Sequence, residues 1–145
     1  MVRYVLAVAT SLSLVFIDAQ AAESTKVRLA YDYLSQQMTA CTVFYMLSGK
    51  CLGKDNPELS AKIDKAASVM ANLAVLTGKH AGIEESALVA RTNIATAKLQ
   101  AEVGPDCGNI SVLLNRYGEN CRALASHPQA AFQNALDKVM QANPQ

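Results

Sequence analysis

The chain has 145 residues, of which 51% are hydrophobic and 17% are charged, and its formal net charge is +1 at pH 7. A chain of this length buries enough surface for one domain and leaves little room for a second. Because acidic and basic residues are balanced and form no long run, the sequence lacks the charged surface by which proteins bind nucleic acid or an anionic membrane, and we expect neither partner.

The first 21 residues follow the layout of a cleavable secretory signal. Arg3 lies in a short start, residues 5–17 are mostly apolar, and Ala19 and Ala21 provide the small side chains of a cleavage site. The apolar run has 13 residues, whereas a spanning helix needs about 20, and Asp18 ends it. The sequence therefore predicts a signal peptide over residues 1–21 and one exported domain over residues 22–145, periplasmic or secreted. The alternative is a retained membrane anchor.

The first helix of the predicted domain begins near Ser24 and ends at Gly49. Its apolar face advances by four and three residues alternately, as one face of a helix does. The members of this face are Val27, Tyr31, Leu34, Met38, Cys41 and Tyr45. Beyond Ala40 the helix is apolar nearly all round, which is typical of a helix in the middle of a bundle or against a partner. A glycine at position 49 favours the left-handed conformation in which helices end.

Four further helices are predicted from capping and stop signals. The second begins after the capping residue Asn56, ahead of a proline, and ends at Gly78. The third covers residues 83–103, the fourth follows the capping residue Asn109, and the fifth is shorter and covers about residues 129–141. No segment alternates like a strand. The sequence therefore predicts an all-helical, single up-and-down bundle of four main helices and a short C-terminal helix.

The predicted inner face of the third helix is made mostly of small side chains. Its members are Ile83, Ala87, Ala90, Ile94 and Ala97. Small side chains allow the axes of two helices to approach closely, so we expect this helix to pack tightly on its neighbours. Within the fourth helix, Gly118 indicates either a close backbone contact or a weak point.

All four cysteines, at positions 41, 51, 107 and 121, follow the predicted signal peptide. An even number of cysteines in a small exported domain predicts disulfides, here two. Along one helix, Cys107 and Cys121 would be about 21 Å apart, whereas a disulfide needs alpha carbons within about 7 Å. The first and fourth helices of an up-and-down bundle are antiparallel neighbours. We therefore predict Cys41–Cys121 and Cys51–Cys107, and the other two connectivities stay open.

Residues that could carry catalysis or hold a metal ion are scarce. The only histidines are His80 and His127, and both lie in predicted loops. The sequence contains no C-x-x-C pair, no phosphate-binding glycine loop and no recognisable nucleophile with a base. We therefore predict no enzyme activity, no cofactor and no metal site.

The surplus apolar side chains of the first helix carry the functional prediction. Tyr33, Val43, Phe44 and Met46 exceed what one core face requires, and contiguous exposed apolar residues are typical of interaction sites. We expect a non-enzymatic protein-interaction module, such as an inhibitor, an immunity protein or a chaperone, that binds another protein or a second copy. The alternative is a carrier of a small hydrophobic ligand in the bundle core, among the methionines.

Overall fold

The computed structural model describes residues 6–54 and 56–142, with side chains described from Ser24 onward. Over these residues the fold is all-helical and contains no strand. The helices are α1 (Leu6–Leu52), α2 (Pro57–His80), α3 (Glu85–Val103), α4 (Ile110–Ser126) and α5 (Pro128–Ala142). The predicted helical bundle is confirmed. The predicted signal peptide and its cleavage site after Ala21 lie outside the described side chains and stay predictions.

The start of α2 follows the predicted capping pattern. The side-chain oxygen of Asn56 accepts a hydrogen bond from the backbone N–H of Leu59 at 2.9 Å, and Pro57 is the first helical residue. This bond satisfies one of the N–H groups that the start of a helix leaves unpaired. Asn109 also directly precedes a helix, α4, but its side chain makes no capping hydrogen bond.

Two glycines predicted to end helices lie inside them instead. Gly49 is within α1, and Gly78 is within α2. A Cβ atom on Gly78 would lie 2.6 Å from a methyl carbon of Leu88, and one on Gly49 would lie 3.3 Å from Ile63. These glycines therefore permit close contact between helices. The glycines that follow helix ends with a positive φ are Gly82 and Gly104, at 75° and 78°, a range that glycine adopts more easily than other residues.

Helix α1 is the centre of the molecule, because it contacts each of the other four helices. Its buried apolar side chains lie on several sides rather than on one stripe. They are Ala30, Leu34, Met38, Cys41, Val43, Phe44 and Leu47. The surrounding helices contribute Met70, Leu99, Leu113 and Val139 to the same core. Other helices therefore cover most of the later half of α1, which accounts for its apolar character nearly all round.

Two disulfides join α1 to α4 and its preceding loop. Cys41 pairs with Cys121 and Cys51 pairs with Cys107, with alpha carbons 5.4 and 5.7 Å apart. The reversed order of the partners along the chain makes α1 and α4 antiparallel, and the predicted connectivity is confirmed. The Cys41–Cys121 pair is buried, whereas the Cys51–Cys107 pair is partly exposed. Two disulfides in a small domain are typical of an oxidising compartment.

Candidate interaction surfaces

The predicted partner surface on α1 is mostly buried. Val43 and Phe44 are 1% and 3% exposed, whereas Met46 is 54% exposed and Tyr33 is half-buried. The ring of Phe44 packs against that of Tyr117 on α4, with centroids 6.1 Å apart. The prediction that these residues form a partner surface is therefore wrong for Val43 and Phe44. Neighbouring helices cover the sides of α1 on which those two side chains lie.

Tyr45, which follows Phe44, shows the effect of this burial on ionisation. Burial raises the pKa of the Tyr45 hydroxyl above its ordinary value of 10.0, and the nearby positive charge of Arg122 partly offsets that rise. The hydroxyl therefore stays protonated near neutral pH. It acts as a half-buried packing group, because the effect of burial exceeds that of Arg122.

Helix α3 has two apolar faces. The inner face is anchored by three buried side chains, Leu88, Leu99 and Val103. The outer face consists of Ala87, Ala90, Ile94, Ala97 and Ala101, all of which are exposed. These five residues advance by three and four alternately, so they form one continuous stripe on the helix. Ile94 lies at the middle of the helix and is 70% exposed. We call this stripe the outer face of α3.

The sequence prediction chose the wrong face of α3. Of the predicted inner residues, Ala87, Ala90, Ile94 and Ala97 face outward, and only Ile83, which precedes the helix, is partly buried. The two stripes have similar periodicity, but the leucines and the valine of the other stripe bury more apolar area than alanines do. The larger side chains therefore set the rotation of α3 about its axis.

One ion pair holds α3 against α1. A terminal nitrogen of Arg91, Nη2, donates to Asp32 Oδ1 at 2.8 Å, and both side chains are about one-third exposed or slightly less. The other terminal nitrogen of Arg91, Nη1, is buried and has no hydrogen-bond partner among the described residues. An ion pair that is open to solvent and leaves a buried N–H unpaired contributes little to stability.

A groove of about 350 Å³ lies between α2 and α3, and we call it the α2–α3 groove. Its walls include the exposed side chains of Val75 and Val89, and its floor includes Thr39 and Thr42 of α1. The hydroxyls of both threonines donate to backbone carbonyls of α1, at 2.8 and 2.9 Å. Since their donors are used internally, the floor is mainly apolar in character.

A second groove, of about 600 Å³, lies between α2 and α5 over Met38 of α1. At one end the ring of Tyr31 contacts both His80 and Phe132, with centroids 4.9 and 4.7 Å apart. His80 is the last residue of α2 rather than a loop residue as predicted, because α2 continues past Gly78. Its imidazole packs against Tyr31, and among the described residues it is paired with no nucleophile.

A third opening, also of about 600 Å³, lies between α4 and α5, with α1 as its floor. Its base is buried and apolar and is formed by Leu34, Leu124 and Ala135. Four carboxamides line it, and we call it the amide cleft after them: Gln37, Asn120, Asn134 and Gln141. Asn120 donates to Gln37 across the cleft, from Nδ2 to Oε1 at 3.4 Å.

The charged groups of the amide cleft balance one another. Asp137 and Lys138 both line it, and the Lys138 Nζ donates to the hydroxyl of Tyr33 at 3.0 Å. The same ammonium lies 5.2 Å from the centroid of the Tyr33 ring. His127, the exposed residue between α4 and α5, also lines the cleft, in the loop position predicted for it.

Further chemistry is limited in the described part of the chain. Among those residues, no three His, Cys, Asp or Glu side chains are placed to hold a metal ion. Over the same residues, no helix combines the length and the apolar character that crossing a membrane would require. Comparisons with known proteins give no identification, since no protein family, curated protein or solved structure matches this chain.

Proposed function

We propose that this protein is a non-enzymatic interaction module that binds another protein, or a second copy of itself, through the outer face of α3. The observation that carries the proposal is the exposure of Ile94, which is 70% accessible at the middle of a stripe of alanines. Fully burying such a side chain contributes about 1.5–3 kcal/mol. The alanines on either side would let a partner helix approach closely enough to cover it.

The residues flanking this face are compatible with a protein partner. Ser86, Asn93 and Gln100 follow one edge at seven-residue intervals and are exposed and uncharged, and Lys98 lies on the other edge. An apolar centre with a polar rim is the usual arrangement of protein interfaces. Inhibitors, immunity proteins and chaperones all act by binding other proteins, and any of them is consistent with the proposal.

Photocrosslinking tests the proposal directly. A photoreactive residue at Ala101, at the end of the outer face, should give one dominant crosslinked product in the native source, identified by mass spectrometry. Ile94→Lys should abolish the product, whereas Gln100→Lys, which adds the same charge at the rim, should leave it. Circular dichroism should show that both variants are folded. A product that forms equally well with Ile94→Lys would contradict the proposal.

We further infer that the protein works outside the cytoplasm, in the periplasm or after secretion. The signal-like layout of residues 1–21 and the two disulfides support this location. N-terminal sequencing of protein purified from its own source should give Ala22 as the first residue. Protein that begins at Met1 would contradict the signal peptide.

A second candidate function, a carrier of a small hydrophobic ligand, is favoured by the α2–α3 groove. Its volume of about 350 Å³ is within the range of ligand sites, and its threonine donors are already used. The bundle core offers less room, because Met38 and Met70 fill it and are fully buried. Native mass spectrometry should show a bound small molecule that Val89→Glu removes. A bound polypeptide would instead favour the interaction module.

A further inference from the structure

We propose that the amide cleft is a binding site for an extended, uncharged polypeptide segment. The cleft shares no residue with the outer face of α3, so this inference goes beyond the proposed function and does not depend on it. The site is a cleft at the surface between α4 and α5 with a buried apolar base, formed by Leu34, Leu124 and Ala135. A segment of another chain can reach such a cleft from solvent.

The carboxamides supply the recognition chemistry. Each has an acceptor oxygen and an NH₂ group with two donors, so one side chain can bond to the C=O and the N–H of a peptide group at once. Gln37 and Asn120 contact each other only at 3.4 Å, a long hydrogen bond that a ligand could replace. In the described part of the chain, Asn134 and Gln141 make no side-chain hydrogen bond, and both line the cleft.

The spacing of these side chains fits an extended chain. Asn134 and Gln141 are seven residues apart on α5, which places them on one face about 10.5 Å apart along the helix axis. A strand advances about 3.3 Å per residue, so three residues of an extended ligand span the same distance. The alanines at positions 123, 130 and 131 line the cleft between the amides and leave room for the ligand backbone and small side chains.

The other polar groups disfavour charged ligands and sugars. The negative charge of Asp137 and the positive charge of Lys138 balance, so the net charge of the cleft attracts neither an anion nor a cation. A sugar ring binds well against an aromatic face, but Tyr33, which lines the cleft, is half-buried, and the Lys138 ammonium at its hydroxyl limits access to that end of the ring. The peptide group, which is neutral and both donates and accepts, is the chemical unit that matches this lining best.

The test uses nuclear magnetic resonance on isotope-labelled protein from expression of the full chain, with both disulfides formed. The probe is an acetylated and amidated repeat of glycine, serine and alanine, compared with the sugar maltohexaose. The peptide should cause saturable shifts in the side-chain NH₂ signals of Asn134 and Gln141. Asn134→Leu should weaken binding roughly 5-fold to 10-fold, as expected for one or two lost hydrogen bonds. Ala130→Trp, which places a large side chain at an exposed position in the cleft, should block peptide binding.

Substitutions outside the cleft serve as controls that distinguish peptide binding in the amide cleft from binding elsewhere on the protein. Asn115→Leu removes an exposed carboxamide of α4 that does not line the cleft, and it should leave peptide binding unchanged. Ile94→Lys should also leave it unchanged, so failure of the α3 proposal and failure of this one give different results. The proposal is overturned if the peptide causes no saturable shift, if only maltohexaose does, or if Asn134→Leu and Asn115→Leu behave alike.

Discussion

Helices α3 and α4 are attached to α1 in different ways. Helix α4 and the loop before it are joined to α1 by two disulfides and by the contact of Phe44 with Tyr117. Helix α3 is held by three buried apolar side chains and one partly exposed ion pair between Arg91 and Asp32. It also exposes a whole apolar face. We therefore expect the α4 side to contribute most to the stability of the fold, and we propose the exposed face of α3 as the side that binds a partner.

Removing the buried disulfide, which links α1 to α4, should lower the stability of the protein more than any other change considered below. The paired change Cys41→Ala and Cys121→Ala frees a loop of 80 residues, and we expect it to lower the free energy of unfolding by about 4–5 kcal/mol. The pair Cys51→Ala and Cys107→Ala should cost less, about 2–3 kcal/mol. That pair is partly exposed, and Cys107 has a φ of 60°, which is costly for a residue with a side chain.

Urea denaturation of both disulfide variants measures these losses. Limited treatment with reductant provides a second readout, because the partly exposed Cys51–Cys107 bond should open before the buried Cys41–Cys121 bond. If both paired substitutions lower the free energy of unfolding equally and both disulfides are reduced together, burial does not make Cys41–Cys121 more stabilising than Cys51–Cys107.

The next largest difference in stability should come from truncating one apolar side chain on the α4 side and one on the α3 side. Phe44→Ala should lower the free energy of unfolding by about 3–4 kcal/mol, because it leaves a cavity beside Tyr117 in the core. Ile94→Ala removes an apolar side chain that is 70% exposed, and it should change stability by no more than about 0.5 kcal/mol. Thermal or urea unfolding tests both. Equal losses would show that the outer face of α3 is part of the core.

Two glycine substitutions should have the smallest effects and opposite signs. A Cβ at Gly118 meets no atom within 4 Å, so Gly118→Ala should stabilise α4 by up to about 1 kcal/mol through helix propensity. A Cβ at Gly78 would lie 2.6 Å from Leu88 of α3 and 3.1 Å from Ser35, and overpacking there should outweigh the propensity gain, with a net loss of about 1 kcal/mol. Urea unfolding of both variants gives the signs, and a stabilising Gly78→Ala would show that α3 is attached loosely enough to shift.

Contacts between helices could be predicted from the sequence where helix geometry favoured one arrangement over the others. The spacings of the cysteines and the expected antiparallel arrangement of the first and fourth helices favoured the observed disulfides over the other two connectivities, because helical spacing separates Cys107 from Cys121 and antiparallel packing pairs the end of one helix with the start of the other. The start of α2 at Asn56 and Pro57 was predictable because capping is a local interaction. The rotation of α3 was not, because Leu88 and Ile94 belong to two stripes of equal periodicity and only packing chooses between them.

The candidate sites were harder to predict than the fold. An apolar residue such as Phe44 looks the same in sequence whether a partner or another helix of the same chain covers it. The amide cleft combines side chains from three helices, including Gln37, Asn120 and Asn134, and hydrophobic periodicity does not report on them. The one local signal was the seven-residue interval between Asn134 and Gln141, which many helices contain by chance.

The unbroken course of α1 past Gly49 affects the order in which bonds can form during synthesis. Cys41 and Cys51 are made long before Cys107 and Cys121, so for that interval the only disulfide available within the chain is the non-native one between the first two thiols. Both lie in one continuous helix, ten residues and therefore about 15 Å apart, too far for a bond. An α1 helix formed at that stage would hold the two thiols apart until their correct partners have been synthesised.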